Sequence, residues 1–310
     1  DVPGTPGLFL LLTYVNLMSD KDVPTLVEPD WLEDHLDDSN LRVVDCTVEL
    51  TYNNETGEME GEPRRDDWVE SHIPGSVFVD LMEDLSETED PDYSFQLPDP
   101  AAFAAEMEAV GIGDNTRVVA YDNARDDLSN EWAARFWWML RVFGHDQVGV
   151  LNGGWNRWTD ENRPMSSSEP STPNVTFTPD YRPELVADKN EVSEYISDDS
   201  ESEACVVNAL WPDDYESLRI PNTENIPSVG ESAVIDTETN TYIPGDEIRS
   251  RFEEVGAAES DQVVTYCGGG IAASSTAFAA YVSGFEDIAV YDGSLEEWRD
   301  DPDLPVRTAE

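Results

Sequence analysis

A series of apolar runs in the first half of the chain returns, in the same order, in the second. Residues 43–46 (VVDC) are answered by 205–208 (CVVN), Arg117–Tyr121 (RVVAY) by Gln262–Tyr266 (QVVTY), and 148–158 (VGVLNGGWNRW) by 288–298 (IAVYDGSLEEW). A tandem duplication restricts the fold severely, because whatever unit buries the first set of runs has to be built twice. Short β-branched runs alternating with helix-length segments predict an α/β unit with a mainly parallel sheet flanked by helices. In the first copy this gives a helix over 29–36, a strand over 41–46, a polar loop over 53–65 and a short strand over 77–80. Helical spacing follows over 103–110 with Gly111 as its stop, then an aromatic-rich helix over 131–143 ended by Gly144. Pro, Ser, Thr and Asn cluster over 163–183, which is linker composition. The chain thus divides into residues 19–162 and 184–310, two domains of ordinary size. Residues 1–18 read as a poorly ordered extension, with Met18 a candidate natural start.

The register of the repeat sets Asp122 where the second copy has Cys267. There the run Val263, Val264, Thr265, Tyr266 ends in Cys267, Gly268, Gly269 and Gly270, and an Ala- and Ser-rich helix is expected over about 272–283. A thiol at this point faces the positive end of a helix dipole and a ring of backbone N–H groups without partners of their own. Such surroundings are expected to lower its pKa and make it a reactive thiolate. A buried structural cysteine is the commoner fate of a lone Cys, but three glycines beside it suit the close approach of a bound group. Only the second copy can do thiol chemistry at this strand end. Cys46 and Cys205 lie in apolar runs and read as core, and three cysteines at wide spacing form neither a disulfide framework nor a metal site.

Charge excludes several functions. With 68 acidic residues against 17 basic ones the formal charge is −51, and the lysines are Lys21 and Lys189 alone. The acids are spread among strong apolar segments, so disorder is a poor account of them. An acidic, lysine-poor surface fits concentrated salt, where the Debye length is about 3 Å at 1 M and self-repulsion is screened. A halophilic source is expected, and no basic stripe exists to meet a nucleic acid. The apolar run over 8–15 is too short to span a bilayer and lacks the flanks of a signal peptide. A cytoplasmic enzyme with no membrane partner is expected.

Several of these residues match motifs in series: 72–78 (HIPGSVF), Tyr121-Asp122-Asn123, 135–145 (RFWWMLRVFGH), 150–155 (VLNGGW), 266–270 (YCGGG) and 291–294 (YDGS). Together they cover the chain from about Leu26 to Arg299, and it resembles the two-domain rhodanese-type sulfurtransferases, the thiosulfate and 3-mercaptopyruvate sulfurtransferases, here of a halophilic archaeal type. The resemblance implies tandem rhodanese-like domains, the first catalytically silent and the second active, with the site in the cleft between them. It implies that Cys267 takes a sulfane sulfur from thiosulfate or 3-mercaptopyruvate as a persulfide, cradled by the N–H groups of Gly268, Gly269, Gly270, Ile271, Ala272 and Ala273. A thiophile such as cyanide or a thiol then removes it. A protein sulfur acceptor is a further candidate, and no metal or organic cofactor is required.

Departures from the pattern bear on the donor. Gly268 and Gly269 stand where the thiosulfate enzymes often carry basic residues, and Gly269 replaces the hydroxyl of the mercaptopyruvate enzymes. Asn208-Ala209-Leu210 and then Asp214 replace the family's paired arginines, and His-Ile-Pro-Gly is degraded to Asn225-Ile226-Pro227-Ser228 in the second copy. The substrate-binding candidates left are Arg65, Arg64, Arg219, Arg125 and His72. Arg65 matches the family position seven residues before the His72 motif, and His72 matches a histidine of the mercaptopyruvate enzymes. For Arg219 a solvated surface role, and for His72 a turn-capping one, compete equally. A phosphatase of the same fold would need an arginine six residues past the cysteine; Ala273 stands there. A persulfide relay without turnover is the remaining alternative.

Overall fold

The computed structural model describes residues 22–53, 58–123, 131–197 and 204–309; the extension over 1–18 and the candidate Arg125 lie outside them. In the first half β1 (Leu26–Val27), β2 (Leu41–Asp45), β3 (Val77–Phe78), β4 (Arg117–Tyr121) and β5 (Val148–Leu151) form one sheet in the order β1-β5-β4-β2-β3. In the second, β6 (Val186–Ala187), β7 (Ala204–Asn208), β8 (Glu224–Asn225), β9 (Gln262–Tyr266) and β10 (Ile288–Tyr291) reproduce it as β6-β10-β9-β7-β8. Every pairing in both sheets is parallel. The repeat seen in the residues is therefore a repeat of topology, strand for strand.

Parallel strands need crossovers, and helices supply most of them. The first half has α1 (Pro29–His35), α2 (Arg65–Glu70), α3 (Pro100–Ala109), α4 (Glu131–Val142) and α5 (Gly154–Asp160). The second has α6 (Lys189–Tyr195), α7 (Pro212–Ser217), α8 (Gly245–Glu254), α9 (Ile271–Val282) and α10 (Ser294–Asp300). α3 begins earlier than its apolar spacing predicts: Asp99 caps it by accepting the Ala101 amide at 2.8 Å, and Pro100 fits a first turn that needs no amide donor. The polar loop expected over 53–65 is instead largely an antiparallel hairpin, Val48–Asn53 against Glu58–Pro63. Among the described residues no helix is long and apolar enough to cross a membrane.

The segment over 163–183 is irregular, as its composition predicts, but it is laid onto the first unit. Ser166 and His72 exchange backbone hydrogen bonds at 2.8 and 2.9 Å, and the amides of Asp180 and Arg182 donate to Phe143 and Val142. Phe177 is buried edge-on to Phe103.

The halves meet through α4 and α9. Trp137 packs edge-on to Phe278 with centroids 5.0 Å apart, and the Arg141 guanidinium lies 4.1 Å from the Tyr281 ring centroid. Only Arg141 of α4 escapes full burial, so this helix is covered on all sides, between its own sheet and α9. One cluster of buried apolar side chains runs from Val44 in the first sheet to Val290 in the second. The relative placement of the two sheets is thus held by a shared core.

Candidate active site

Cys267 follows the last residue of β9, and α9 begins at Ile271, so three glycines make the whole turn from strand to helix. The turn brings the helix N-terminus to the sulfur: the Gly270 amide donates to Cys267 Sγ at 3.1 Å. The Cys267 amide donates to Ser294 Oγ at 3.0 Å. The amides of Leu295 and Glu296, in the first turn of α10, donate to the carbonyls of Cys267 and Gly268 at 3.1 and 3.0 Å. The loop is thereby fixed between two helix N-termini. Of its glycines only Gly270 is sterically required. It has φ +84°, and a Cβ there would lie 2.9 Å from both the carbonyl and the Oδ1 of Asp292. A Cβ at Gly268 meets nothing within 4 Å.

The first unit closes over this loop. Arg135 of α4 donates to Asp292 Oδ1 at 2.5 Å and to the Phe95 carbonyl at 2.6 Å, both side chains of the ion pair being at most 2% exposed. Asp292 also accepts the Tyr93 hydroxyl and the Leu97 amide, and Glu296 accepts both the amide and the hydroxyl of Ser94. Residues 93–97 therefore form a strap across the loop, and Cys267 is left 3% exposed. The repeat is echoed in this interface. Asn152, the first-copy counterpart of Asp292, accepts the Tyr242 amide from the second unit at 3.0 Å.

This closure corrects one expectation. Burial pushes the Cys267 thiol up, and the charge of Glu131 adds to that; the amides of Ala273, Gly269 and Gly270 pull the other way but do not win. The amides at the helix end pull the pKa down as the sequence predicts, yet desolvation by burial outweighs them. Cys46 and Cys205 are buried as expected, the first pushed well up and the second to about 11, both chiefly by burial.

The four predicted substrate-binding side chains among the described residues make their contacts away from the thiol. Arg64 lines a cavity of about 200 Å³ at the corresponding end of the first sheet, with Asp45, Thr47, Asp67, Trp68 and Asn123. There it is held by Glu49, Glu62 and Asp67. Arg65 is exposed, its guanidinium 5.6 Å from the Trp68 ring centroid. Arg219 bonds the carbonyls of Tyr215 and Glu216 and pairs with the Glu216 carboxylate. His72 is fully buried, stacked on Trp68 with Nδ1 2.6 Å from the Trp68 carbonyl, so its contacts lie in the core of the first unit. In a chain this acidic, arginines are drawn to nearby carboxylates and backbone oxygens, which the spacing of motifs does not reveal. No group of side chains suited to holding a metal occurs among the described residues.

Glu131 escaped the sequence reading, and Arg135, Asp292 and Ser294 entered it only as motif residues without a role at the site. The replacement of Asn152 by Asp292 at matching points of the repeat was a usable signal for one of them. In the first copy Asp122 takes the place of the thiol, and its carboxylate accepts the Trp132 and Ala133 amides at 3.0 Å, a cap on α4 in place of a nucleophile.

A model of the rhodanese-like domain matches residues 28–161 and 189–301. The thiosulfate sulfurtransferase of Rattus norvegicus is 32% identical over 287 residues, covering 88% of this chain and 91% of that protein. The thiosulfate/3-mercaptopyruvate sulfurtransferase 2 of Arabidopsis thaliana is 29% identical over 312 residues, covering 91% and 86%. Among solved structures, SseA from Escherichia coli, a 3-mercaptopyruvate sulfotransferase, superposes with a TM-score of 0.73 at 24% identity, covering 88% of this chain and 99% of that one. That likeness is one of fold.

Proposed function

The chain belongs to the rhodanese-like family, and on that premise we propose that it is a sulfurtransferase working through Cys267. The observation that carries the reading is the strand-end thiol at the α9 N-terminus, with the Gly270 amide 3.1 Å from Sγ. The Cys267 thiolate attacks the outer sulfur of thiosulfate; the new S–S bond forms as the old one breaks, and its electron pair leaves with sulfite. With 3-mercaptopyruvate the carbon–sulfur bond breaks instead, and the departing enolate takes a proton to become pyruvate. The persulfide carries negative charge on its outer sulfur, which backbone N–H groups of the loop stabilise. Attack by cyanide or a thiol on that sulfur returns the thiolate. The first unit, with Asp122 at the matching strand end, contributes the strap and the helix facing the loop.

No basic side chain in the loop selects the donor, and this absence supports a second reading, a persulfide relay that passes sulfur to a protein partner without turning over small donors. A cytoplasmic location belongs to the proposal and is supported by three free cysteines, the usual state in a reducing compartment. The test is thiocyanate formation from cyanide with either donor at high salt. The enzyme reading expects turnover that Cys267→Ser abolishes while Cys46→Ser and Cys205→Ser retain it. No turnover with either donor favours the relay.

A further inference from the structure

One acid buried between the two units is accounted for neither by the repeat nor by the reaction. Glu131 opens α4 and is 4% exposed. Its carboxylate accepts the hydroxyl of Ser228 from the second unit. The Ser228 amide donates to the Ala209 carbonyl at 3.0 Å, and the Ala209 amide donates to the carbonyl of Tyr266, the residue before Cys267, at 2.8 Å. One turn along α4, Arg135 reaches the same loop, its Nη1 being 3.2 Å from the point where Gly270 would carry a Cβ. Residues four apart share a helix face, so Glu131 and Arg135 stand side by side towards the Cys267 loop. The charge of Glu131 is felt at the thiol itself.

Among the described residues the groups facing Glu131 offer it the Ser228 hydrogen bond but no positive charge. Asp122, at the end of β4, adds like charge, and Cys267 and Tyr242 are acids that its field pushes up. Burial, with Asp122 adding to it against the Ser228 hydrogen bond, pushes the Glu131 carboxyl up to about 7. Among the described residues no lysine or arginine is paired with it, since Arg135 is engaged by Asp292 and the Phe95 carbonyl. Above neutrality the interface of the two units therefore carries a buried negative charge that is felt at Cys267.

We propose that Glu131 is a specificity-determining residue, whose charge turns the cleft against doubly charged sulfur donors and towards singly charged ones. Coulomb repulsion scales with the charge of the donor, so thiosulfate, a dianion, is opposed more than 3-mercaptopyruvate, a monoanion. The inference rests on the sulfurtransferase reading for its donors, and for its effect at the thiol on the hydrogen-bonded path from Glu131 through Ser228 and Ala209 to Tyr266, with the charge of Glu131 acting across it.

Two variants of similar size remove the charge, Glu131→Gln and Glu131→Met. In each, at pH 8, the rates at which iodoacetate and iodoacetamide label Cys267 are read by mass spectrometry of its peptide. The ratio of the anionic to the neutral reagent cancels any change in thiolate content. That ratio rises by about threefold or more in both variants, and kcat/KM for thiosulfate relative to 3-mercaptopyruvate rises with it. A reagent ratio unchanged in a variant that melts like the wild type overturns the proposal. So does a donor ratio unchanged in an enzyme that turns over both donors. If the reagent ratio shifts and neither donor turns over, the effect of the Glu131 charge stands and the sulfurtransferase reading fails.

Discussion

Replacing Arg135 with methionine removes one half of the ion pair that joins the two units over the active loop. The guanidinium and the Asp292 carboxylate are 2% and 1% exposed and 2.5 Å apart, and the guanidinium also lies 4.5 Å from the Trp138 ring centroid. Breaking such a buried pair leaves a charge without compensation, which costs about 3–5 kcal/mol. Asp292 keeps the Tyr93 hydroxyl at 3.3 Å and the Leu97 amide at 3.2 Å, so the lower end, about 3 kcal/mol, is expected. Equilibrium urea unfolding at fixed high salt, followed by tryptophan fluorescence, measures it for Arg135→Met, Asp292→Asn and the double variant. The double variant recovers part of the loss, with a coupling energy of about 1.5–3 kcal/mol. Turnover also falls in Arg135→Met, because Asp292 borders Gly270. Single costs below about 1 kcal/mol that simply add refute the reasoning that this pair fixes the loop.

Other outcomes follow from the same contacts. Gly270→Ala forces a Cβ onto Asp292 at a positive φ and costs more than about 1 kcal/mol, whereas Gly268→Ala, with open space at its Cβ, leaves the melting temperature unchanged. Asp45 is pushed up to about 6 by burial, against hydrogen bonds from Thr47. Between about pH 4 and 6 the folded chain therefore holds a proton that the unfolded chain has lost, and stability falls as pH rises through that window. A pH series of melting curves shows this slope in the wild type and a reduced one in Asp45→Asn, which is the more stable at pH 8 by about 2–3 kcal/mol. The charge of −51 predicts a melting temperature that climbs from low to multimolar KCl, and a flat response contradicts the role assigned to salt.

The fold was legible because its information is local and stated twice. Runs such as Arg117–Tyr121 and Gln262–Tyr266 are β-branched and apolar at most positions, as strands buried on both faces tend to be, and their common order carries the topology of both sheets. The turn that carries Cys267 to a helix end was legible for the same reason, since strand, glycines and helix are contiguous. The hairpin Val48–Asn53 with Glu58–Pro63 was missed although Val48, Leu50 and Tyr52 alternate with Glu49, Thr51 and Asn53, because the acidic, Gly- and Pro-containing second strand has the composition of a loop. The pairing of Arg135 with Asp292, and the place of Glu131 beside Ser228, depend on how α4 docks against α9, which no local pattern encodes. The raised thiol belongs to this class as well: the helix end is a local feature, whereas the burial that desolvates the sulfur depends on tertiary packing.

The central claim is that Cys267 alone carries the transferred sulfur. Incubating the protein with thiosulfate or 3-mercaptopyruvate, without an acceptor, and mapping peptides by mass spectrometry tests it directly. The account predicts one added sulfur atom on the Cys267 peptide, discharged by cyanide with release of thiocyanate. Sulfur found instead on Cys46 or Cys205, or on no cysteine at all, contradicts it.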